Sequence, residues 1–134
     1  RGSFTSRQGI GVPNYHDFAN DQTLLIVLLE DIIAVENLDE ILEVDHIDVF
    51  MVPSGDLAQS MGLPGQGNHP DVQAVVDETM RRITKKGKIT GAIANKDNVK
   101  NIYDNGGRFF LCDPRPYMAE GFSKYQEFAT RNIK

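Results

Sequence analysis

Two acidic residues carry the clearest chemical signal in this sequence. Glu30 ends the apolar run Leu24 to Leu29, and Asp56 follows a second run, Ile47 to Val52, after the turn Pro53-Ser54-Gly55. If both runs are neighbouring parallel strands, about 4.8 Å apart, their ends present the two carboxylates side by side. One divalent cation, held at roughly 2.1 Å from carboxylate oxygens, is then within reach of both. The competing reading makes Asp56 a helix cap, with Gln59 three residues on, and Glu30 an exposed ion-pair partner. Ser54-Gly55-Asp56-Leu57 adds a second element, because backbone N–H groups at a helix start attract an anion such as a substrate carboxylate.

Other chemistry-bearing residues are more isolated. Arg115 follows the last apolar run and is placed either to hold an anionic end of a substrate or to form a surface ion pair. His69 precedes a proline at a helix start and suits a capping role, while His16 and His46 have no partner pattern. Cys112 ends an apolar run and reads as a buried small hydrophobe. Gly65-Gln66-Gly67 is no phosphate loop, since neither Lys-Ser nor Lys-Thr follows it.

The elements that position these residues alternate. Six consecutive apolar residues, Leu24 to Leu29, are too few to cross a bilayer and lack polar alternation, so they read as a strand buried on both faces. Ile47 to Val52, Ile89 to Ile93 and Arg108 to Cys112 are the three further strands expected. Helices are expected from Asn14 to Asn20, and after Asn37, whose Glu40 three residues on fits a capping box. Others begin at Asp56, at Asn68-His69-Pro70-Asp71, at Asn95 and at Asp113-Pro114-Arg115-Pro116. The longest has a stripe of Val72, Val75, Val76, Met80 and Ile83, acids early, bases late, and Gly87 at its end. The last has a stripe of Met118, Phe122, Tyr125 and Ala129, and Gly91 within the third strand suggests close backbone packing. Residues Arg1 to Pro13 read as a loop. Strand and helix alternating four times implies parallel strands with right-handed crossovers. That is half of a TIM (β/α)8 barrel, which needs about 250 residues, or else an open doubly wound sheet.

Composition bounds the partners. The chain has 134 residues and a formal charge of −5, with no basic run, which argues against nucleic acid or an anionic membrane surface. One domain over residues 1–134 is expected. A single cysteine excludes an internal disulfide, and the start of the chain has no signal-peptide pattern, so a cytoplasmic setting is expected.

Taken together, LLIVLLE, ENLDEIL, IDVFMVPSGDLAQSMGLPG, NHPDVQ and the Gly-Lys before the third strand resemble the C-terminal half of the HpcH/HpaI family. The resemblance implies an α/β fold, the last four β/α units of a TIM barrel. It implies a metal-dependent pyruvate aldolase acting on 2-keto-3-deoxy sugar acids or related 2-oxo acids through a metal-bound enolate. Glu30 and Asp56 would be the ligands of magnesium, manganese or cobalt. The amides of Gly55 and Asp56, beside Ser54, would bind the pyruvate carboxylate, and Ile93 would line the aldehyde side. The partners implied are pyruvate and an aldehyde, in a homo-oligomer that is a hexamer by the same resemblance. Two departures stand out: the turn reads Val-Pro-Ser-Gly-Asp, not Gly-Pro-x-Asp, and the fourth strand ends in Cys112-Asp113-Pro114-Arg115. The family's catalytic histidine and enolate-stabilising arginine lie on early strands that are absent here. Citramalyl- or malyl-thioester lyase chemistry, and a non-catalytic half-barrel that binds a partner, are the rival readings.

Overall fold

The computed structural model describes residues 13–133. The loop expected over Arg1 to Pro13 lies, up to residue 12, outside them. Four parallel strands form one sheet: β1 (Ile26–Leu28), β2 (Val49–Met51), β3 (Ile89–Ile93) and β4 (Gly107–Leu111), in the spatial order β1-β2-β3-β4. The helices are α1 (Tyr15–Asp21), α2 (Ile32–Glu36), α3 (Leu38–Ile41), α4 (Ser54–Ser60), α5 (Pro70–Lys85), α6 (Val99–Asp104) and α7 (Arg115–Asn132).

Strand order decides between the two architectures. A doubly wound sheet reverses direction at a switch point, whereas here every crossover steps the same way. Crossovers of one hand that never reverse put all their helices on one face. The result is an arc of barrel with helices outside.

The outer layer is the core. Leu29, Phe50, Val52, Ala92 and Ala94 face helix residues Leu38, Leu57, Val72, Val76, Met80, Ile83 and Ile102 in one buried cluster. The α5 stripe at 72, 76, 80 and 83 follows helical spacing, and full burial of each such side chain is worth about 1.5–3 kcal/mol. Buried Thr90 places its hydroxyl on the Phe50 carbonyl oxygen at 3.0 Å, so no polar cost is left in the sheet.

The inner face is different. Cross-strand partners share a face, so Ile26, Val49 and Ile89 form one row, Leu28, Met51, Gly91 and Phe109 a second, and Ile93 with Leu111 a third. This face is wholly apolar. Val49 and Met51 are buried, but Leu28, Ile89, Ile93 and Leu111 remain about half exposed.

Several sequence expectations change in detail. Ladder pairing begins two residues into the first run, since the Asp48 carboxylate accepts the Leu25 N–H at 2.7 Å. Asp31 caps α2 by accepting from the Ile33 N–H, and this helix precedes the expected one. The capping box at Asn37 does not form, because its side-chain amide donates to the Ile33 carbonyl at 2.9 Å. Asp56 is not a cap either: Pro53 is the N-cap of α4 and Asp56 lies within its first turn. Asn98 rather than Asn95 is the N-cap of α6, and Asn95 instead accepts from the N–H groups of Asp97 and Asn98. Cys112 is exposed, not buried. The stripe of α7 is exposed as well, with no residue of that helix buried.

Candidate active site

β1 and β2 are adjacent and parallel, with Leu28 opposite Met51; Glu30 lies just past β1, and Asp56 lies beyond β2 in α4. Leu29 continues the pairing by donating to the Met51 carbonyl at 2.7 Å. Glu30 follows and is half-buried, while Asp56 is exposed in the first turn of α4. Neither carboxylate has a hydrogen-bond or ion-pair partner among the described residues. Two unpaired carboxylates beside an apolar face are a donor set suited to a hard divalent cation, which takes oxygen ligands and fills its remaining positions with water and substrate oxygens. No group of three or more His, Cys, Asp or Glu able to hold a metal occurs among the described residues.

The turn between β2 and α4 has little over it. Pro53 supplies no side-chain cap, so the first amides of the helix are left without an internal acceptor. A Cβ on Gly55 would meet nothing within 4 Å, so the chain is open to its surroundings at that position. Ser54 is covered from the other side by the loop that follows α4. A Cβ on Gly67 would stand 3.1 Å from the Ser54 hydroxyl oxygen, and the Gln73 side-chain amide holds the Gly67 carbonyl at 2.7 Å.

Ser54 and Ile93 come together. Both line a small cavity of about 30 Å³, room for one water, which Gln73, Asp77 and Asn98 complete. Ile93 also lines a larger pocket of about 350 Å³ whose other walls are Asn95, Lys96 and Asp97 from the β3–α6 loop and Asp113, Tyr117 and Glu120 from the start of α7. Asn95 and Asp113 were read only as a helix start and a turn, and Lys96, Asp97, Tyr117 and Glu120 were not singled out in the sequence. A lysine in the loop after the third strand, Asn95-Lys96-Asp97, was the available signal.

Arg115 lies outside that lining. Its guanidinium forks onto Asp113, with Nε 2.9 Å from both carboxylate oxygens and Nη2 2.7 Å from Oδ2. This side-chain hydrogen bond, helped by the Arg115 backbone N–H, holds the Asp113 carboxyl below the usual range, and the same pairing raises Arg115. Glu120 is likewise lowered, first by its hydrogen bond from Lys124 and then by the charges of Lys124 and Lys96. His69 caps α5 through Nδ1, which accepts the Asp71 N–H at 3.2 Å.

One-way strand order with helices on one face defines a protein of the TIM-barrel class. Residues 3–111 match the HpcH/HpaI aldolase/citrate lyase family, and the chain belongs to it. It is 46% identical over 83 residues to a 2-keto-3-deoxy-L-rhamnonate aldolase of Klebsiella pneumoniae, covering 62% of this chain and 31% of that protein. A hydroxypyruvate/pyruvate aldolase of Roseobacter denitrificans is 38% identical over 99 residues, 73% of this chain and 39% of its own length. The chain therefore spans between about three tenths and two fifths of these relatives. Among solved structures, a family member from Burkholderia cenocepacia superposes with a TM-score of 0.77 at 22% identity, over 88% of this chain and 47% of that one. A citrate synthase does so with a TM-score of 0.72 at 24% identity, over 86% and 48%. At these identities the superpositions establish the fold, a half of a barrel with four β/α units. No helix among the described residues is long and apolar enough to cross a membrane.

Proposed function

We propose that this chain supplies the metal- and pyruvate-binding half of a divalent-metal-dependent aldolase for 2-keto-3-deoxy sugar acids or related 2-oxo acids. The observation that supports the reading is that two unpartnered carboxylates, Glu30 just past β1 and Asp56 in the first turn of α4, follow adjacent parallel strands. These two residues would hold magnesium, manganese or cobalt, which supplies Lewis-acid polarisation of the 2-oxo group. The exposed amides of Gly55 and Asp56, with the Ser54 hydroxyl beside them, receive the substrate carboxylate, and the absence of a side chain at Gly55 lets it approach. Ile93, next to Ser54 in the small cavity, bounds the aldehyde side and keeps it apolar.

Aldol cleavage also uses a proton-transfer group and a cationic partner for the developing oxyanion. His69 is engaged as a cap and Arg115 by Asp113, so neither is free for these roles. Holding the distal end of an acidic substrate would require Arg115 to give up that fork. We infer that the proton-transfer group and the cation come from strands that pack on the half-exposed inner face, either from the same polypeptide or from another copy in a homo-oligomer.

The test is exchange of the pyruvate methyl protons with deuterated water. Exchange that depends on added divalent metal and is lost in Asp56→Asn supports the reading. Turnover of acyl-thioester substrates without pyruvate exchange favours the thioester lyase alternative. Metal binding with neither activity favours a non-catalytic binding module.

A further inference from the structure

The loop between α4 and α5 folds back onto the β2–α4 turn. It leaves α4 through Gly62, whose φ of 77° closes a Schellman motif: the Gly62 N–H donates to the Gln59 carbonyl oxygen and the Leu63 N–H to that of Ala58. Leu63 packs on the core. The Gln66 N–H then donates to the Leu63 carbonyl oxygen at 3.1 Å, and the His69 N–H to that of Gln66 at 2.8 Å. Pro64, Gly65, Gln66 and Asn68 are exposed, while Gly67 is turned inward.

Gly67 lies against Ser54. A Cβ on it would stand 3.1 Å from the Ser54 hydroxyl oxygen and 3.4 Å from both the carbonyl carbon and the carbonyl oxygen of Ser54. The φ of Gly67 is not positive, so space at Ser54, and not backbone conformation, is what a side chain here would violate. That carbonyl shares its rigid peptide plane with the Gly55 N–H. Whatever presses on the Ser54 carbonyl therefore sets the direction of the amide proposed to meet the substrate carboxylate.

Gln73 holds Gly67 in place. From the first turn of α5 its Nε2 donates to the Gly67 carbonyl oxygen at 2.7 Å, and its side chain shares the small cavity with Ser54. The helix behind it is firmly anchored, with Val72, Val76, Met80 and Ile83 buried. Contact thus passes from a packed helix through Gln73 and Gly67 to the Ser54 peptide, and neither proposed metal ligand takes part in it.

Building on the proposed pyruvate site, we propose that Gln73 is a positioning residue for it, fixing the Gly55 N–H toward the substrate carboxylate by clamping Gly67 against the Ser54 peptide.

The experiment measures manganese-dependent methyl-proton exchange of pyruvate by the full protein, well below each variant's Tm. Binding of oxamate, an isostere of pyruvate without methyl protons, is followed by titration calorimetry. Gln73→Met keeps the shape of the side chain and removes the donor; Gly67→Ala perturbs the same contact from its other side. Each should raise the KM for pyruvate and the Kd for oxamate about three- to tenfold, the scale of one neutral hydrogen bond. The kcat of exchange and the Kd for manganese should stay unchanged, because carboxylate binding is common to ground and transition states. Gln66→Ala, which alters an exposed side chain on the same loop, should match wild type. A merely structural role would give the opposite split, since a partly unfolded population lowers apparent kcat and leaves KM alone. Unchanged KM and oxamate affinity in both Gln73→Met and Gly67→Ala overturns the clamp and leaves the aldolase reading standing. Absence of metal-dependent exchange in the wild type overturns that reading and the clamp with it.

Discussion

Gly91 is the point where the inner face of the sheet is most sensitive to a single atom. The β3–β4 register shifts between Thr90 and Gly91, and this brings the Phe109 backbone across the place a side chain would occupy. A Cβ on Gly91 would stand 2.0 Å from the Phe109 carbonyl oxygen and 2.8 Å from its carbonyl carbon. An ordinary C···O contact is about 3.3 Å or more, so in Gly91→Ala the two backbones must part by roughly 1.3 Å. Overpacking of this kind costs about 1–3 kcal/mol. Losing a ladder hydrogen bond adds about 0.5–1.5 kcal/mol, and the stiffer unfolded chain returns about 0.4–1 kcal/mol. The net destabilisation is about 2 kcal/mol, which for a chain of this length lowers Tm by roughly 8 °C.

Thermal unfolding followed by far-ultraviolet circular dichroism measures this directly. Gly55→Ala is the control: a Cβ there meets nothing within 4 Å, and a helical alanine in place of glycine gains up to about 1 kcal/mol. Its Tm should hold or rise, while the added methyl group narrows the approach to the turn and pyruvate exchange falls. A Gly91→Ala protein melting within about 2 °C of wild type, on the same scale of degrees per kcal/mol, would refute the close β3–β4 approach and the register shift it rests on.

Glu30→Gln and Asp56→Asn should each weaken manganese binding by tenfold or more in titration calorimetry, with Tm unchanged, because neither carboxylate has a partner to lose within the fold. For the Arg115 fork, the Asp113 carboxyl is depressed in the folded protein, so the pairing is fully present above the ordinary aspartate range and is lost as pH falls through the lowered folded value. Arg115→Ala should return the Asp113 titration, followed by carboxyl-carbon NMR, to the ordinary range. It should also raise KM for acidic aldehydes more than for neutral ones.

What was legible in the sequence follows from what each pattern physically reports. Ile47 to Val52 reads as a strand because both of its faces are covered, and all three ladder residues of β2 are buried. Leu24 and Leu25 are equally apolar yet outside the ladder, since the partner strand starts at Val49 and Asp48 takes the Leu25 N–H. A composition-based boundary does not register that competition. The stripe of α7 shows the same gap: helical spacing says that Met118, Phe122 and Tyr125 share a face, but not what covers it, and nothing among the described residues does. Strand order, which separates a barrel from a doubly wound sheet, is a property of pairing and leaves no trace in periodicity. Glu30 and Asp56 were singled out together because one ends an apolar run and the other follows one after a short turn. The pocket around Lys96 was not, because the β3–α6 loop and the start of α7 build it together, and periodicity does not report which segments meet.

The inner face ties assembly to chemistry. Ile26, Leu28, Val49, Met51, Ile89, Ile93, Phe109 and Leu111 present an apolar surface with no charged side chain in its rows, and Glu30 and the β2–α4 turn follow two of its strands. Covering that surface removes water from the neighbourhood of Glu30 and Asp56. In the lower local dielectric their attraction for a divalent cation grows, since Coulomb energy scales inversely with it. If Glu30 and Asp56 hold a metal as proposed, binding and association are linked: whatever buries the face strengthens that site, and metal favours the covered state by the same free energy. Where association between copies provides the cover, the apparent manganese affinity should rise with protein concentration, in step with self-association seen by sedimentation. Leu28→Gln with Leu111→Gln should suppress both together while leaving the outer core intact, because these two side chains are about half exposed already. A manganese affinity constant across the concentrations at which the protein associates would break the link and place the site outside the influence of the covered face.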